Sequence, residues 1–312
     1  MEPLLSERHE HVPVLLREIV EYAPGRALRL LDGTLGLAGH SKALLAAHPE
    51  AHLVAFDRDE SAITIARQRL QPFDGRFEIR HGDFRDGLSE IPTGSIDYAI
   101  ADLGVSSLQL DAADRGFSFR FDAPLDMRMD QSGGRSASDI LNTASEKELD
   151  RIFTDFGEEP KARAIARSII MERRSRGVWT TSSFSKLVRR DARGGPGLDP
   201  ATRSFQALRI ATNDELQGLD AGLEALARLL RPGGRLAVIA FHSLEDRIVK
   251  NTFRPLGKSG AFTLLTPKPV VPHNDELRAN PRSRSAKMRV LERCLERPLG
   301  HPLEHPEEGN RR

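Results

Sequence analysis

The fold the sequence predicts is an open, largely parallel α/β sheet broken by a helical insertion, and three observations predict it. Apolar runs alternate with helix-patterned stretches from residue 27 to 101, the alternation stops between 115 and 198, and it resumes from 201 to 293. The first unit fixes the class. Residues 27–31 are apolar and lead into Asp32-Gly33-Thr34-Leu35-Gly36-Leu37-Ala38-Gly39-His40, and a helix-like stretch, 41–47, leads out. Strand, glycine turn and helix in that order open a Rossmann-like nucleotide-binding sheet.

The remaining elements follow in order. Residues 11–20 read as a short helix after Pro13. A second strand, 52–56, ends in Asp57, 18 residues beyond Gly39, where an acid accepts hydrogen bonds from both ribose hydroxyls of an adenosine. A helix over 60–70 keeps Ile63, Ala66 and Leu70 on one stripe. The third strand, 77–81, runs into Asp83-Phe84, an acid and an aromatic placed to flank an adenine ring, with ordinary core as the alternative for Phe84. The fourth, 96–101, ends in Asp102-Leu103-Gly104-Val105-Ser106-Ser107. Ligands of open α/β sheets lie beyond the carboxyl ends of the strands. Asp32, Asp57, Asp83 and Asp102 all fall there, which marks the mouth of a site.

From 115 to 198 no strand pattern is visible. Helices are expected at 145–156, 160–174 and 181–190, the first opened by the capping box Ser145-Glu146-Lys147-Glu148, and Gly194–Gly197 closes the segment. A long helix, 201–230, then reaches Pro232-Gly233-Gly234 and a fifth strand, 235–241. A Pro-Gly-Gly turn at that point suits a class I methyltransferase sheet. Residues 262–265 and 288–293 are expected to add an antiparallel hairpin as the last of seven strands. The expected division is a sheet domain in two parts, 1–114 and 199–295, around a helical insertion domain, 115–198, with a disordered tail, 296–312.

Composition narrows the function. With 39% hydrophobic and 29% charged residues, the chain is expected to fold around a sizeable core, and it has no apolar run long enough to span a membrane. The first ten residues lack the basic-then-apolar pattern of a signal peptide. The single cysteine, Cys294, excludes an internal disulfide and cysteine-rich zinc sites, and fits a reducing, cytoplasmic compartment. No metal site is expected. Net charge is only +1, yet residues 151–210 carry 13 Lys and Arg against 6 Asp and Glu, a net of +7 that leaves −6 for the rest. That asymmetry suits a nucleic-acid partner, and a solvated helical surface is the equal alternative.

Glycines at 33, 36 and 39 do not have the dinucleotide spacing, and a carboxylate at 32 would repel a pyrophosphate. An acid there suits a cationic ligand, and S-adenosylmethionine carries both an ammonium and a sulfonium. Methylation at C5 of a pyrimidine needs a cysteine, and Cys294 lies in a terminal strand away from the expected site. An exocyclic amine needs only alignment with the methyl group and one hydrogen-bond acceptor. Asp102 is placed for that acceptor role, with cofactor binding as its competing role.

Seven motifs together resemble the MraW family of bacterial ribosomal RNA methyltransferases. They are Gly33-Thr34-x-Gly36-x-x-Gly39-His40-Ser41; Asp102-Leu103-Gly104-Val105-Ser106-Ser107-x-Gln109-Leu110-Asp111; Arg115-Gly116-Phe117-Ser118-Phe119; Pro124-Leu125-Asp126-Met127-Arg128-Met129; Phe205-Gln206-Ala207-Leu208-Arg209-Ile210; Phe241-His242-Ser243-Leu244-Glu245-Asp246-Arg247; and Asn280-Pro281-Arg282-Ser283-Arg284-Ser285-Ala286-Lys287. The sequence departs from the family pattern at Asp199 and at Leu37-Ala38. The resemblance implies N4-methylation of a cytosine in the decoding region of 16S rRNA, within the small ribosomal subunit, with S-adenosylmethionine as donor. It implies cofactor contacts at Ala38, Gly39, His40, Asp57, Phe84, Asp102 and Gln109, of which His40 and Gln109 come from the family alone. Gly33 and Gly36 complete the cofactor set. Candidates for the RNA side are Ser106, Ser107, Phe241, His242 and Ser243 around the base, and Arg282 and Arg284 on phosphates. For His242 a structural hydrogen bond is the even alternative. The basic helices of the insertion, Arg173-Arg174 among them, are expected to read RNA shape. A monomer and a homodimer both remain open.

Overall fold

The computed structural model describes residues 13–192 and 199–295. A short helix, α1 (Leu16–Glu21), precedes β1 (Arg29–Asp32). Then α2 (Gly39–Ala47), β2 (His52–Asp57), α3 (Glu60–Leu70), β3 (Phe77–His81), the one-turn α4 (Phe84–Gly87) and β4 (Ile96–Asp102) alternate. The short α5 (Ser107–Asp111) leads to α6 (Ala137–Thr143), α7 (Glu146–Asp155), α8 (Ala162–Arg176) and α9 (Thr181–Asp191). The chain finishes with α10 (Ala201–Asn213), α11 (Leu219–Leu229), β5 (Leu230–Ala240), α12 (Ser243–Lys258), β6 (Phe262–Leu264), α13 (Asn274–Ala279) and β7 (Lys287–Arg293).

The seven strands form one sheet in the order β3-β2-β1-β4-β5-β7-β6. The first five are parallel, β7 runs antiparallel to β5, and β6 antiparallel to β7. The order reverses between β1 and β4, so the crevice at that switch point opens beyond the ends of those two strands. β4 sits mid-sheet with Ile96 to Ala101 buried, which is why Ile-Asp-Tyr-Ala-Ile-Ala reads as a continuous rather than alternating strand. The expected class, a Rossmann-like α/β sheet interrupted by a run of helices, is the observed one.

The insertion has its own core, centred on Trp179, Phe153 and Phe184, each fully buried. Phe184 stacks on Phe153 at 6.1 Å, and Trp179 meets it edge-on at 6.4 Å. Ala201, Phe205, Ala207 and Leu208 belong to the same core. The expected boundary at 198 therefore falls ahead of α10, a helix whose buried face packs with the insertion. That helix couples the two parts of the architecture, because its Gln206 and Arg209 reach the crevice of the sheet.

Three further expectations change. The helix expected over 201–230 is two helices, separated where Asp214 (φ 49°) and Gly218 (φ 68°) turn left-handed. Pro232-Gly233-Gly234 does not precede β5 but lies inside it, as a bulge: Ile96 pairs with Leu230, and Tyr98 with Arg235. Gly233 at φ 78° supplies the left-handed residue such a bulge favours. Helices α6 and α12 have no counterpart among the expected elements, although both open with capping boxes, at Ser136 and His242. The start of the helix expected at 11, the Gly194–Gly197 closure and the tail from 296 lie outside the described residues.

Candidate active site

The glycine turn is built to bring backbone close to whatever lies in the crevice. Gly33 N donates to Ile100 O at 2.9 Å, joining the turn to β4. A Cβ at Gly39 would sit 2.3 Å from Pro13 Cγ, and one at Gly33 would sit 3.2 Å from the Phe84 ring. Gly39 therefore has no room for a side chain, and Gly33 very little. Gly36 takes φ 52°, and its N–H donates to Asp57 Oδ2 at 2.6 Å. Asp57 Oδ1 accepts from Asp59 N at 2.8 Å. Burial pushes the Asp57 carboxyl up, against these two bonds.

Asp32 behaves differently from expectation. It is buried behind the turn, its oxygens accepting from Thr34 N at 3.0 Å and Ser41 Oγ at 2.6 Å, and it is not among the residues lining the cavity. Burial pushes it up to about 6, with the Ser41 and Thr34 bonds opposing. Its first task is holding the turn in shape, and its charge acts through that turn.

The cavity at the switch point holds about 420 Å³. Gly33, Gly36, Gly39, His40, Asp57, Phe84, Asp102, Gln109, Ser106, Ser107, Phe241, His242 and Arg282 all line it, drawn together from positions 33 to 282. Three of the expected residues do not. Ala38 is fully buried as the left-handed N-cap of α2. Ser243 Oγ donates instead to Glu158 Oε2 at 3.1 Å, a tether to the insertion, and Arg284 is exposed away from the cavity. Gln109 lines the cavity, but its side chain is engaged: Oε1 accepts from Ser106 N at 3.0 Å, and Nε2 donates to Asp59 Oδ2 at 3.0 Å. Phe84 is both core and cavity wall, so the two readings of it coincide.

Asp102 closes β4. Its N–H donates to Thr34 Oγ1 at 2.6 Å, and its Oδ2 lies 3.7 Å from His40 Nδ1. His40 Nε2 meets Val14 O at 2.9 Å, tying the segment before α1 over the turn. Asp102 Oδ1 is sealed from solvent and has no hydrogen-bond partner, while 28% of the side-chain surface stays open. Burial pushes this carboxyl up to about 8, and Glu245 adds to the rise. A buried acceptor without a donor is costly unless a ligand fills it.

The opposite wall is one that sequence reasoning does not assemble. Arg209 of α10 makes two hydrogen bonds to Glu215, at 2.8 and 2.7 Å. Glu245 Oε2 accepts from Phe241 N at 2.8 Å and His242 N at 3.2 Å. Burial acts to raise the Glu245 carboxyl, but His242, Arg209 and the Phe241 N–H outweigh it and hold it below the usual range. Glu215, His242 and Glu245 lie close enough to grip a metal ion, yet the Arg209 guanidinium already neutralises Glu215 and faces Glu245. The available signals are the motifs around Arg209 and Glu245, which give no hint that the two meet. Arg282 pairs with Asp111 at 2.5 and 3.1 Å across the rim.

Cys294 follows β7, which runs antiparallel to β5, and so lies at the opposite end of the strands from the crevice. Its N–H donates to Ala261 O at 2.9 Å. It is out of reach of any base held beside Asp102.

The model of the MraW methylase family matches residues 8–294. Ribosomal RNA small subunit methyltransferase H of Citrifermentans bemidjiense is 47% identical over 310 residues, covering 92% of this chain and 99% of that protein. The protein of the same name from a Methylobacterium species is 46% identical over 310 residues, covering 91% and 90%. That from Maridesulfovibrio salexigens is 45% identical over 308 residues, covering 91% and 95%.

Proposed function

The chain belongs to the MraW methylase family, and from that premise we propose that it methylates N4 of a cytosine in the decoding region of 16S rRNA, using S-adenosylmethionine. The relatives' name specifies small-subunit rRNA, and the assembled subunit is the form of it that this reading takes as substrate. One observation carries the choice of atom: Asp102 Oδ1, a buried acceptor without a donor, at the cavity end of β4.

The donor set fits the cofactor. Carboxylates at the ends of β2 and β4, with Asp32 behind the turn, favour a cationic ligand, and Asp57 is placed to receive ribose hydroxyls. When bound, S-adenosylmethionine supplies an electrophilic methyl group on a positive sulfonium. The chain's residues do the rest. An exocyclic amine donates its lone pair into the ring, so its nucleophilicity depends on an acceptor that draws on an N–H bond. Asp102 Oδ1 is that acceptor. With the cofactor bound, the methyl group would leave sulfur as the S–C bond breaks and N–C forms, and the proton shed by the amine would pass to Asp102, whose raised carboxyl suits it to hold one. His40, fastened to Val14 O, keeps the neighbouring oxygen in place.

Incubation of small subunits lacking the modification with the protein and labelled cofactor tests this reading. Digestion and mass spectrometry are expected to give N4-methylcytidine. Label in C5-methylcytidine, or none in nucleosides, overturns it.

A further inference from the structure

Five buried side-chain nitrogen or oxygen atoms among the described residues have no hydrogen-bond partner, and only two belong to residues lining the cavity: Asp102 Oδ1 and His242 Nε2. The first is an acceptor. The second is a donor, and the local structure says why. His242 is the N-cap of α12, and its Nδ1 accepts from Glu245 N at 3.3 Å. With that nitrogen serving as acceptor, the ring proton resides on Nε2. Glu245 Oε1 lies 3.1 Å from Nε2, close enough to hold the ring by its charge but outside hydrogen-bond geometry, so the Nε2–H is left without a well-aligned acceptor. The other Glu245 oxygen is occupied by two backbone N–H groups, which locks the carboxylate in place.

The two atoms stand on neighbouring strand ends. Asp102 pairs with Ile239, and Leu103 N donates to Ile239 O at 2.9 Å, so His242 follows three residues past Asp102's partner. Adjacent strands run about 4.8 Å apart, a spacing that lets groups on both ends straddle one base edge. Gly104, at φ 94°, lies between the two strand ends: a Cβ there would sit 3.7 Å from Glu245 Oε1 and 3.8 Å from the Phe241 ring, in ordinary contact with both.

We propose that His242 Nε2–H donates to N3 of the target cytosine while Asp102 Oδ1 accepts from its N4 amine, which makes His242 the residue that selects cytosine over uracil. This rests on the cytosine-N4 reading above and deepens it. The pair reads a donor beside an acceptor, the pattern of cytosine's Watson–Crick edge. Uracil presents the reverse, an O4 acceptor beside an N3–H donor, and would leave both protein groups unpaired. A site built on such bonds discriminates strongly, because the wrong base strands buried polar atoms. Phe241, next in the chain, lines the same cavity.

Two substitutions separate this role from capping. The amide of His242→Gln reaches the position of Nε2 but caps a helix poorly, whereas His242→Asn keeps the cap and has no donor at that distance. Methylation of small-subunit rRNA is expected to fall about 10- to 100-fold in kcat/KM for Asn and by less than about 10-fold for Gln. Cofactor affinity, read by calorimetry, is expected to stay at the wild-type value in both. The opposite order, Asn active and Gln impaired, makes His242 a cap alone and overturns the proposal. RNA with 3-deazacytidine at the target, which lacks the N3 acceptor, supplies the second arm. The wild type is expected to lose about 10- to 100-fold on it, and His242→Asn nothing further. Independent, multiplying losses overturn the proposal while N4-methylation of ordinary RNA still stands. Absence of N4-methylation by the wild type overturns both.

Discussion

The two walls of the cavity differ in how completely their polar atoms are satisfied. On the glycine-turn side, Asp57 holds two backbone N–H groups, Asp32 holds Thr34 and Ser41, and Gln109 is bonded at both ends. On the side formed by the ends of β4 and β5, Asp102 Oδ1 and His242 Nε2 have no hydrogen-bond partner. A wall whose polar groups are already engaged is preorganised and loses little on binding. A wall that keeps buried groups unpaired carries a cost in the free protein that a correctly shaped partner removes. The first wall is therefore built for binding, and the second for selecting and reacting.

Substitutions on the two walls are therefore expected to fail in different ways. Asp102→Ala is expected to have the largest effect, a loss of about 10²- to 10⁴-fold in turnover, measured at saturating cofactor with rRNA as acceptor. A fall in cofactor affinity that accounts for all of the lost rate would put Asp102 on the binding wall instead.

The pH dependence sharpens the same point. The Asp102 carboxyl is raised by burial to about 8 from the 3.8 of an ordinary aspartate. Between those values the folded protein holds a proton that the unfolded chain has released, so this group's contribution to stability is fully present below about pH 4 and is lost as pH rises toward 8. Activity needs the ionised carboxylate as acceptor and is expected to climb over the upper part of the same range. Stability and turnover thus run in opposite directions with pH. Denaturant melts of the wild type and Asp102→Asn are expected to diverge in their pH dependence, the variant being flatter. Parallel dependences would mean that Asp102 ionises as an ordinary aspartate does.

Asp57→Ala tests the other wall. Loss of a charged acceptor is expected to weaken cofactor binding about 10- to 100-fold by calorimetry, with turnover at saturation changed only a few-fold. A collapse of turnover with unaltered affinity would erase the distinction between the walls.

How much of this is legible in the sequence follows the same line. Asp57, Asp102 and the glycine turn are readable because each belongs to a local unit, a strand and the loop that leaves it, whose period and punctuation survive in one dimension. Apart from Asp102, the second wall is assembled from β5, the start of α12 and the end of α10, so Arg209 and Glu245 meet only in three dimensions. Helix α12 is hidden by its cap, since His242 is an unusual N-cap residue and Phe-His-Ser reads as a base-binding motif. The break after α10 is hard to see because Asp214, rather than a glycine or proline, makes the first left-handed turn. Asp32 shows the converse: its place at the end of β1 is plain from the sequence, but a one-dimensional reading does not show that both oxygens turn inward.

The smallest predicted effect concerns the insertion, where the basic excess is partly consumed within the fold. Arg173 donates to Ala144 O at 2.7 Å, Arg167 pairs with Glu146, Arg189 with Asp199 and Arg190 with Glu172. The +7 counted from the sequence already subtracts Asp199 and Glu172, so those two pairs leave it unchanged, whereas Glu146 lies outside 151–210 and offsets one charge more. Arg163, Arg174 and Lys186 are exposed and pair with no carboxylate among the described residues. The adjacent arginines 173 and 174 thus separate into a structural and a free one. Arg174→Glu is expected to weaken RNA binding a few-fold and to lower the slope of log affinity against log salt by about 1, leaving cofactor affinity and the melting temperature unchanged. Arg173→Glu is expected to lower the melting temperature as well, because it removes the donor that closes α6. Equal behaviour of the two variants in both assays would mean that the insertion meets RNA through some other face.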